Sequence, residues 1–417
     1  MTGGTVERID TLVIGGGQAG LAMSYWLTGA GVEHLVLDRR DRLGGSWHDR
    51  WDEFHLVLPN FTIQLPGMPY DGDDPDGYMA RDEVVAHLAR YAAGFDPPAR
   101  LGTEVTRLTA ADGDLVANAG GTTFRARDVV LATGPYPRAK IPAASDHVSA
   151  HVQQLHSGDY RRPGQLADGG VLVVGAGQSG AQIAEELHRA GREVHLAVST
   201  FATAPRRYRG RDIGWWLLQV HLHGAEVGVV LKPPPPAARF DRNPLLSGQG
   251  GGHSIDLRQL ARDGVALHGR LESADGTKVR FHDDLAERLA FGEAQFDKTQ
   301  RRLFDAYAAA AGLDVPPDDR RPTDDSPVRD AGTELDLADA GIGSVVWATG
   351  YRLDFGWVDL PVFDEYGFPR HTRGVTTHPG LYAVGLPWLH SMASSVVVGA
   401  GADAAHIVEH IVDRREA

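Results

Sequence analysis

The residues with the clearest chemical meaning are three glycines, Gly15, Gly17 and Gly20, which follow the apolar run 12–14. Their G-x-G-x-x-G spacing after a strand permits a tight turn, a close approach of the backbone to a pyrophosphate, and close packing of a helix on that strand. The free N–H groups at the start of the helix then bind the pyrophosphate. The N-terminal stretch therefore predicts a dinucleotide site.

An acidic residue completes this first motif. The next apolar run, residues 34–37, ends in Asp38. A carboxylate at this position accepts hydrogen bonds from the ribose of an adenine nucleotide. Strand, glycine turn, helix and acid thus occur in the order that a Rossmann unit requires.

A second set of glycines, Gly175, Gly177 and Gly180, lies in VLVVGAGQSGAQIAEELHRAG and repeats the first unit almost residue for residue. Such an internal repeat is the pattern of a structural unit used twice. The sequence therefore predicts two dinucleotide-binding folds in one chain.

The strand that follows the second glycine set ends differently from its counterpart. It closes with Ser199 and Thr200 instead of an acid, and Arg206 and Arg207 come shortly after. A 2′-phosphate favours this exchange, because guanidinium binds phosphate in a bidentate way and a carboxylate repels it. We therefore predict FAD at the first site and NADPH at the second, with an ordinary basic loop as the alternative reading of the arginines.

The elements that must position these motifs follow from the apolar pattern. A helix is predicted over 82–91 and a β-meander over 103–132, the last strand of which ends in Ala-Thr-Gly. The stretch 344–351, SVVWATGY, echoes that strand. Four residues at helical spacing predict the core of an inserted helical subdomain: Phe296, Leu303, Phe304 and Tyr307.

These elements predict an α/β fold with two Rossmann-like domains of the three-layer ββα type, the NADPH domain being inserted in the FAD domain. The expected boundaries are 1–160 for the first part of the FAD domain, 161–333 for the NADPH domain with its helical insertion, and 334–417 for the second part of the FAD domain. A length of 417 residues is consistent with more than one domain.

Composition limits the possible partners. The formal net charge of −14 argues against nucleic acid or an anionic membrane surface. The chain has no cysteine, which removes disulfides, thiolate metal sites and a redox-active cysteine pair beside a flavin. The N-terminus, MTGGTVERID, does not resemble a signal peptide, and no apolar run is long enough to span a bilayer. We expect a cytoplasmic protein without a metal site.

Further motifs connect the two glycine sets to a known family. The chain resembles the class B flavin-dependent monooxygenases in several motifs. These are GGSW at 44–47, the two ATG strand ends and ATGY, taken with GGGQAG and GAGQSG. The resemblance covers nearly the whole chain and is weakest between about 209 and 330. The stretch 50–66, followed by MARDEVVAHLARYA, is especially similar to the plant auxin-forming YUCCA monooxygenases and their bacterial flavoprotein relatives.

One family motif is incomplete. Of the linker fingerprint F-x-G-x-x-x-H-x-x-x-Y/F only His156 and Tyr160 are present, and Ala150 and Val152 stand where Phe and Gly are expected. Baeyer–Villiger members end the fingerprint with Trp followed by Pro or Asp, whereas Arg161 follows Tyr160 here. The resemblance therefore favours N- or S-oxygenation or hydroxylation over ester formation.

The resemblance also implies a mechanism. NADPH would reduce FAD, O₂ would add at the flavin C4a position as a (hydro)peroxide, and NADP⁺ would stay bound to protect that species from water. One oxygen atom would then enter a small organic substrate. Asn60 is expected near the flavin edge as a hydrogen-bond donor to the peroxide or to NADP⁺. The alternative is an ordinary turn asparagine after Pro59.

The resemblance assigns the binding residues as follows. FAD is expected at Gly15, Gly17, Gln18, Ala19, Gly20, Asp38, Arg39, Gly45, Ser46, Trp47, Ala132, Thr133, Gly134 and Gly385, and at the backbone of Val105. NADPH is expected at Gly175, Gly177, Gln178, Ser179, Gly180, Ser199, Arg206 and Arg207. Leu386 replaces the Asp of glutathione-reductase-like flavoproteins, and the loop 390–395 is expected beside the flavin ring.

Two other functions remain open from the sequence. One is an NAD(P)H oxidoreductase that passes electrons to a quinone or another non-oxygen acceptor, and the other is a non-catalytic flavin or nicotinamide sensor. The expected partners are O₂ and a small organic substrate of undefined class, and a homodimer is an open alternative. Substrate-pocket walls are expected from 54–66, 209–220 and 385–395.

Overall fold

The computed structural model describes residues 5–239, 243–320, 326, 328 and 330–416. Residues 1–4 of the N-terminal segment, in which we expect no signal peptide, lie outside this range. Up to residue 139 the helices and strands are β1 (Thr5–Ile14), α1 (Gln18–Gly29), β2 (His34–Leu37), β3 (Gln64–Leu65), β4 (Met68–Pro69), α2 (Arg81–Phe95), β5 (Ala99–Arg100), β6 (Val105–Ala111), β7 (Asp114–Ala119), β8 (Thr122–Leu131) and β9 (Arg138–Ala139).

The middle of the chain, from 140 to 350, holds most of the second unit. Its elements are β10 (Gln153–His156), β11 (Gly170–Val174), α3 (Gln178–Arg189), β12 (Val194–Ala197), β13 (Arg207–Tyr208), β14 (Arg211–Asp212), α4 (Ile213–His223), β15 (Leu246–Ser247), β16 (His253–Ser254), α5 (Leu257–Asp263), β17 (Ala266–His268), β18 (Leu271–Asp275), β19 (Lys278–Phe281), α6 (Leu285–Glu293), α7 (Gln295–Lys298), α8 (Gln300–Ala310), β20 (Glu334–Asp336) and β21 (Ile342–Trp347).

The remaining elements return to the first unit. They are β22 (Tyr351–Arg352), β23 (His371–Thr372), β24 (Val375–Thr376), β25 (Leu381–Ala383) and α9 (Val397–Glu416). None of the helices in the described part of the chain is both long and apolar enough to cross a membrane.

The first unit is built in three layers around a parallel sheet in the order β25-β8-β1-β2-β5. Alternate residues of a strand point to opposite faces, so each face of β1 can pack against a different layer. Val13 packs with residues of α1 and α9, whereas Leu12 and Ile14 pack toward the antiparallel meander of β6, β7 and β8. This arrangement is the ββα type that the sequence predicts.

The second unit repeats the same layers. Its parallel sheet runs β10-β21-β11-β12-β17. Val171 and Val173 of β11 pack with residues of α3, and Leu172 and Val174 pack toward the meander of β18, β19 and β20. The predicted fold class, with one Rossmann-like unit inserted in another, is confirmed.

The structure places the domain boundaries differently from the sequence prediction. The strand β10 lies at one edge of the second sheet, and β20 and β21 also belong to the second unit. The chain passes between the units at β9 and β22, which pair as an antiparallel ribbon. The inserted unit therefore spans about 140–350 instead of the predicted 161–333.

The inserted helical subdomain has the core that its periodicity predicts. Phe296, Phe304 and Tyr307 are buried with Trp216 of α4, and Leu303 packs against the same cluster. The rings of Trp216 and Phe304 are stacked with their centroids 5.6 Å apart. These contacts fix α4, which lies against the first unit, to the rest of the subdomain.

Candidate functional site

The first glycine turn joins the ends of β1 and β8 to the start of α1. Gly15 has φ +113°, and a Cβ placed on it would lie 2.5 Å from the carbonyl oxygen of Ala132. A Cβ on Gly20 would lie 1.8 Å from the carbonyl oxygen of Gly15. Only glycine fits at these two positions, because the helix start packs directly on the turn.

The second glycine turn has the same geometry. Gly175 has φ +107°, and its Cβ would lie 2.5 Å from the carbonyl oxygen of Ala348. A Cβ on Gly180 would lie 1.8 Å from the carbonyl oxygen of Gly175. A Cβ on Gly177 would meet nothing within 4 Å, so the space before α3 is open to a pyrophosphate, and the first N–H groups of the helix have no partner within the helix.

Asp38 lies where the sequence predicts it, beside the first glycine turn. It is buried, and its Oδ2 accepts a hydrogen bond from the Gly16 N–H at 2.6 Å while Oδ1 accepts one from the Arg40 N–H at 2.8 Å. Each carboxylate oxygen keeps a further lone pair for a ribose hydroxyl. The backbone N–H of Thr103 bonds to the carbonyl oxygen of Asp38 at 2.8 Å, which brings the start of β6, and so Val105, to this end of the site.

Gln18 ties together the loops that the resemblance assigns to FAD. Its Oε1 accepts a hydrogen bond from Trp47 Nε1 at 2.9 Å, and its Nε2 donates to the carbonyl oxygen of Ser395 at 3.0 Å. The loop 44–47 and the loop 390–395 are therefore held at the same end of α1.

Two further glycines allow this convergence, and one hydroxyl is left without a partner. A Cβ on Gly45 would lie 2.8 Å from the Cα of Gly17, and one on Gly385 would lie 2.6 Å from the Cβ of Ala19. The Thr133 hydroxyl oxygen is buried and has no hydrogen-bond partner among the residues that the structure describes. An adenine dinucleotide can form hydrogen bonds with the open backbone N–H groups, with the buried carboxylate and with this hydroxyl. The residues of this region therefore fit FAD.

The residues of the second site divide into two groups. Gln178 and Gln182 both donate to the carbonyl oxygen of Leu246, so the Gln178 amide is used to hold β15. Ser179 faces a cavity between the two units, and Ser199 lies half-buried just beyond the end of β12. Backbone and hydroxyl groups at α3, rather than the Gln178 side chain, remain to bind a nucleotide.

Arg206 has a different use from the one that its spacing predicts. Its Nε and Nη2 donate to the two carboxylate oxygens of Asp212 at 2.8 and 2.7 Å, and its Nη1 donates to the carbonyl oxygen of Val57 at 2.8 Å. The side chains of Arg206 and Asp212 are only 10% and 8% exposed. The 2′-phosphate prediction therefore depends on Ser199 and on Arg207, which is exposed.

Asn60 occupies the turn that the alternative reading describes. It begins a 3₁₀ turn after Pro59, and its Oδ1 accepts a hydrogen bond from the Met79 N–H at 2.7 Å. Its Nδ2 donates to the carbonyl oxygen of Asp74 at 2.9 Å and lies 3.5 Å from the Tyr70 hydroxyl. The amide thus holds the segment 74–79, and a direct contact with a reacting oxygen stays a prediction.

The segment that Asn60 holds reaches the second unit through Tyr78. The Tyr78 hydroxyl donates to Asp212 Oδ2 at 2.8 Å, and the Arg206 guanidinium lies 5.0 Å from the Tyr78 ring centroid. A Cβ on Gly248 or Gly252 would lie within 3 Å of the Tyr78 side chain. The glycine-rich loop 248–252 therefore packs closely around the Tyr78 side chain.

The three stretches that were expected to form the substrate pocket lie against one another. A Cβ on Gly214, in the first turn of α4, would lie 2.6 Å from the Cδ of Pro59. Farther along α4, the Nδ1 of His221 lies 3.0 Å from the Ser391 hydroxyl. The helix α4 thus covers the region between the segment around Asn60 and the loop 390–395.

A cavity of about 330 Å³ lies between the two units. It is lined by Arg39, Arg40, Ser46, Asp49, Arg50, Trp51, Tyr136, Pro137, Ala139, His156, Ser157, Gly158, Asp159, Arg161, Ser179 and Tyr351. Of these, Arg39, Ser46 and Ser179 are residues that the sequence assigns to the site, whereas the others, Arg50, Tyr136 and Tyr351 among them, are not. Their positions at the cavity depend on how the units pack. Arg50 and Tyr351 belong to motifs of the family resemblance, but those motifs do not assign them to this cavity.

The surviving half of the linker fingerprint lies at the junction of the units. His156 Nε2 donates to the carbonyl oxygen of Gly350 at 2.9 Å, and its Nδ1 accepts a hydrogen bond from the Gly158 N–H at 3.1 Å. This pattern requires the neutral ring, and burial lowers the pKa of His156 below its ordinary value. His156 therefore joins the two strand ends at the junction in its neutral form.

Glu186, on α3 near the buried Tyr160, gives a pH-dependence prediction. It is buried beside the Tyr160 hydroxyl, and burial together with the charge of Glu53 raises its pKa to about 7. Because the folded state binds this proton more tightly than the unfolded state, the carboxyl lowers stability progressively as pH rises from about 4.5 to about 7.

Replacing Glu186 by Gln removes this loss. The free energy of unfolding of the E186Q variant is expected to exceed that of the wild-type protein by about 2 kcal/mol at pH 8 and to differ little from it at pH 4.5. Urea unfolding of both proteins at the two pH values measures the difference. Glu409→Gln, at an exposed position of α9, is the matched control, and equal behaviour of the two variants would contradict the prediction.

The comparisons with known proteins agree with this geometry. Residues 12–212 match the family model described as pyridine nucleotide-disulphide oxidoreductase. The uncharacterized CzcO-like oxidoreductase of Geobacillus kaustophilus is 32% identical over 413 residues, which are 97% of this chain and 99% of that protein. The indole-3-pyruvate monooxygenase YUCCA1 of Oryza sativa is 31% identical over 214 residues, 49% of this chain and 52% of that protein.

Two solved structures share the fold along nearly the whole chain. The flavin-containing monooxygenase from Stenotrophomonas maltophilia has a TM-score of 0.66 at 22% identity and covers 98% of this chain and 99% of its own. The OTEMO complex with FAD and NADP has a TM-score of 0.56 at 16% identity and covers 98% of this chain and 86% of its own. At these identities the likeness concerns the fold alone.

Proposed function

Because this chain belongs to the family of CzcO-like oxidoreductases and is similar to an indole-3-pyruvate monooxygenase over about half of its length, we propose that it transfers one oxygen atom of O₂ to a small organic substrate at the expense of NADPH. We propose FAD and NADPH as its cofactors. The observation that carries the proposal is the pair of matching glycine turns, at Gly15–Gly20 and Gly175–Gly180, in one cysteine-free chain.

The absence of cysteine separates this proposal from the chemistry named in the family model. A flavoprotein that reduces a disulfide needs a redox-active cysteine pair beside the flavin, and this chain has no cysteine. Electrons that reach the flavin must therefore leave to another acceptor, for which we propose O₂. FAD supplies that chemistry when bound, since it accepts a hydride and reacts with oxygen.

The residues of the chain bind and orient the cofactors. The start of α1 and the Asp38 carboxylate would hold the pyrophosphate and the ribose of FAD, and Gln18 keeps the loops 44–47 and 390–395 beside it. The start of α3, with Ser179, would hold NADPH. The helix α4 closes the region between the units and so limits the access of water to it.

Asn60 is expected to act as a positioning residue. Asn60→Ala removes the bonds to Met79 and Asp74, which loosens the segment that carries Tyr78 onto Asp212. We expect FAD to stay bound and H₂O₂ release from NADPH and O₂, without substrate, to become about tenfold faster, corresponding to about 1.4 kcal/mol. Both the FAD content and the peroxide rate are to be measured.

The matched control for Asn60 lies in the same turn. Thr62→Val removes the hydrogen bond from the Thr62 hydroxyl to the carbonyl oxygen of Pro59 without affecting the segment 74–79. It is expected to lower stability by about 1 kcal/mol and to leave peroxide release unchanged. An N60A protein with the peroxide rate of the wild-type protein would remove Asn60 from the mechanism.

The proposed reaction is tested by following the label from ¹⁸O₂. The FAD-loaded protein, NADPH and a panel of amines, sulfides and 2-oxo acids are mixed under ¹⁸O₂, and products are analysed by mass. One labelled oxygen atom per product molecule supports the proposal. Rapid NADPH oxidation by a quinone under argon, with no labelled product under ¹⁸O₂, would instead establish the oxidoreductase that the sequence leaves open.

A further inference from the structure

Arg50 carries a charge that no other described residue neutralises. Its guanidinium makes no hydrogen bond or ion pair in the described part of the chain, and its Nε is buried. Its Cζ lies 5.5, 5.8 and 5.9 Å from the ring centroids of Phe54, Tyr136 and Trp47. Aromatic faces stabilise such a cation only in part, so a half-buried guanidinium without an anion costs stability.

The other charged groups that line the cavity are paired or exposed. Arg40 is paired with Asp49, and the Arg161 guanidinium donates to the carbonyl oxygens of Gly158 and Tyr160. Arg39 and Asp159 are exposed. Within the described residues, Arg50 is thus the half-buried cation of this cavity whose guanidinium makes neither a hydrogen bond nor an ion pair.

The walls of the cavity indicate which anion meets this cation. Arg50 belongs to the first unit, whereas Ser179, in the first turn of α3, belongs to the second and also lines the cavity. A nucleotide at the Gly175–Gly180 turn places its pyrophosphate at this first turn. Its phosphates then face the cavity that the Arg50 guanidinium also lines, and a guanidinium binds two phosphate oxygens at once.

We propose that Arg50 binds the pyrophosphate of NADPH from the opposite side of the cleft and so clamps the first unit onto a nucleotide held by the second. The proposal rests on the proposed function only for the binding of NADPH, and it does not depend on what the reduced flavin does next. The aromatic residues around Arg50 keep the guanidinium at the cavity wall before the nucleotide arrives, which reduces the ordering cost of binding.

The test compares Arg50→Gln and Arg50→Lys with the wild-type holoenzyme, using NADP⁺ as the probe in a calorimetric titration. We expect the Kd for NADP⁺ to rise at least tenfold in R50Q, about 1.4 kcal/mol, and less in R50K. The FAD content, read from absorbance, is expected to stay at the wild-type level. Arg8→Gln removes the same charge at an exposed position, with the Arg8 side chain 72% exposed, and is expected to leave the Kd unchanged.

A second readout separates binding from a merely structural role. Without nucleotide, R50Q is expected to melt at or above the wild-type temperature, because it removes an uncompensated charge, and NADP⁺ is expected to raise its melting temperature less.

An unchanged Kd in FAD-loaded R50Q would overturn the inference, and so would loss of FAD with an unchanged Kd in the fraction that keeps it. If the wild-type holoenzyme itself binds no NADP⁺, the NADPH assignment of the proposed function fails instead.

Discussion

Gly180→Ala is expected to give a protein that keeps its FAD and is not reduced by NADPH, whereas Gly20→Ala is expected to give a protein without FAD. In each variant the new Cβ would lie 1.8 Å from a carbonyl oxygen, that of Gly175 or of Gly15. The turn must open to accommodate it, which displaces the N–H groups that bind the pyrophosphate. We expect the affinity of each variant for its own nucleotide to fall by roughly two orders of magnitude, which corresponds to about 3 kcal/mol.

The experiment measures the two functions separately. Flavin absorbance of the purified proteins gives the FAD content, and anaerobic mixing gives the rate of flavin reduction by NADPH. Dithionite, which needs no nucleotide site, is expected to reduce G180A normally. Gly29→Ala, at the end of α1 where a Cβ meets nothing within 4 Å, is the control and is expected to behave as the wild-type protein. Normal reduction of G180A by NADPH would contradict the assignment of the second turn.

Arg206→Ala is expected to destabilise the protein by about 3–5 kcal/mol, because it removes the positive charge that pairs with the buried Asp212 carboxylate. It also removes the donor to the Val57 carbonyl oxygen, which joins the two units. Urea unfolding measures the loss. The double variant R206A/D212N, which removes the buried charge as well, is expected to recover part of the stability.

The neighbouring arginine gives the matched comparison. Arg207 is exposed, so Arg207→Ala is expected to change stability by less than about 0.5 kcal/mol. If Arg207 binds the 2′-phosphate, the KM of the R207A variant for NADPH is expected to rise roughly tenfold while its KM for NADH stays constant. An R206A protein that has wild-type stability but a higher KM for NADPH alone would contradict the structural role of Arg206. It would support the prediction, made from its spacing, that Arg206 binds the 2′-phosphate.

The fold could be predicted from sequence because its signals are local and occur twice. Each glycine set follows an apolar strand and precedes a helix, and the helix predicted over 82–91 is α2, Arg81–Phe95. The inserted unit begins earlier in the chain than the sequence predicts, for a physical reason. The strand β10, Gln153–His156, has little apolar character of its own and is defined by its pairing with β21, far along the chain.

The site was predicted less completely because its side chains form hydrogen bonds and ion pairs with residues that are distant in sequence or brought close by tertiary structure. Asn60 lies 19 residues before its hydrogen-bond partner Met79, and the role of Arg206 depends on the hairpin of β13 and β14, which brings Asp212 back to it. The role of Arg50 follows only from the packing of both units around the cavity. Residue type and spacing therefore predict the cofactor turns, and tertiary contacts decide what the polar side chains around them do.

The central claim is that this chain uses NADPH and FAD to activate oxygen. Its most direct test is to reduce the FAD-loaded protein with NADPH in the absence of air and then to mix it with oxygenated buffer in a stopped-flow spectrophotometer. We predict an absorbing species distinct from both reduced and oxidised flavin, which persists for seconds while NADP⁺ is bound. A single-step return to oxidised flavin with stoichiometric release of H₂O₂ would contradict the account.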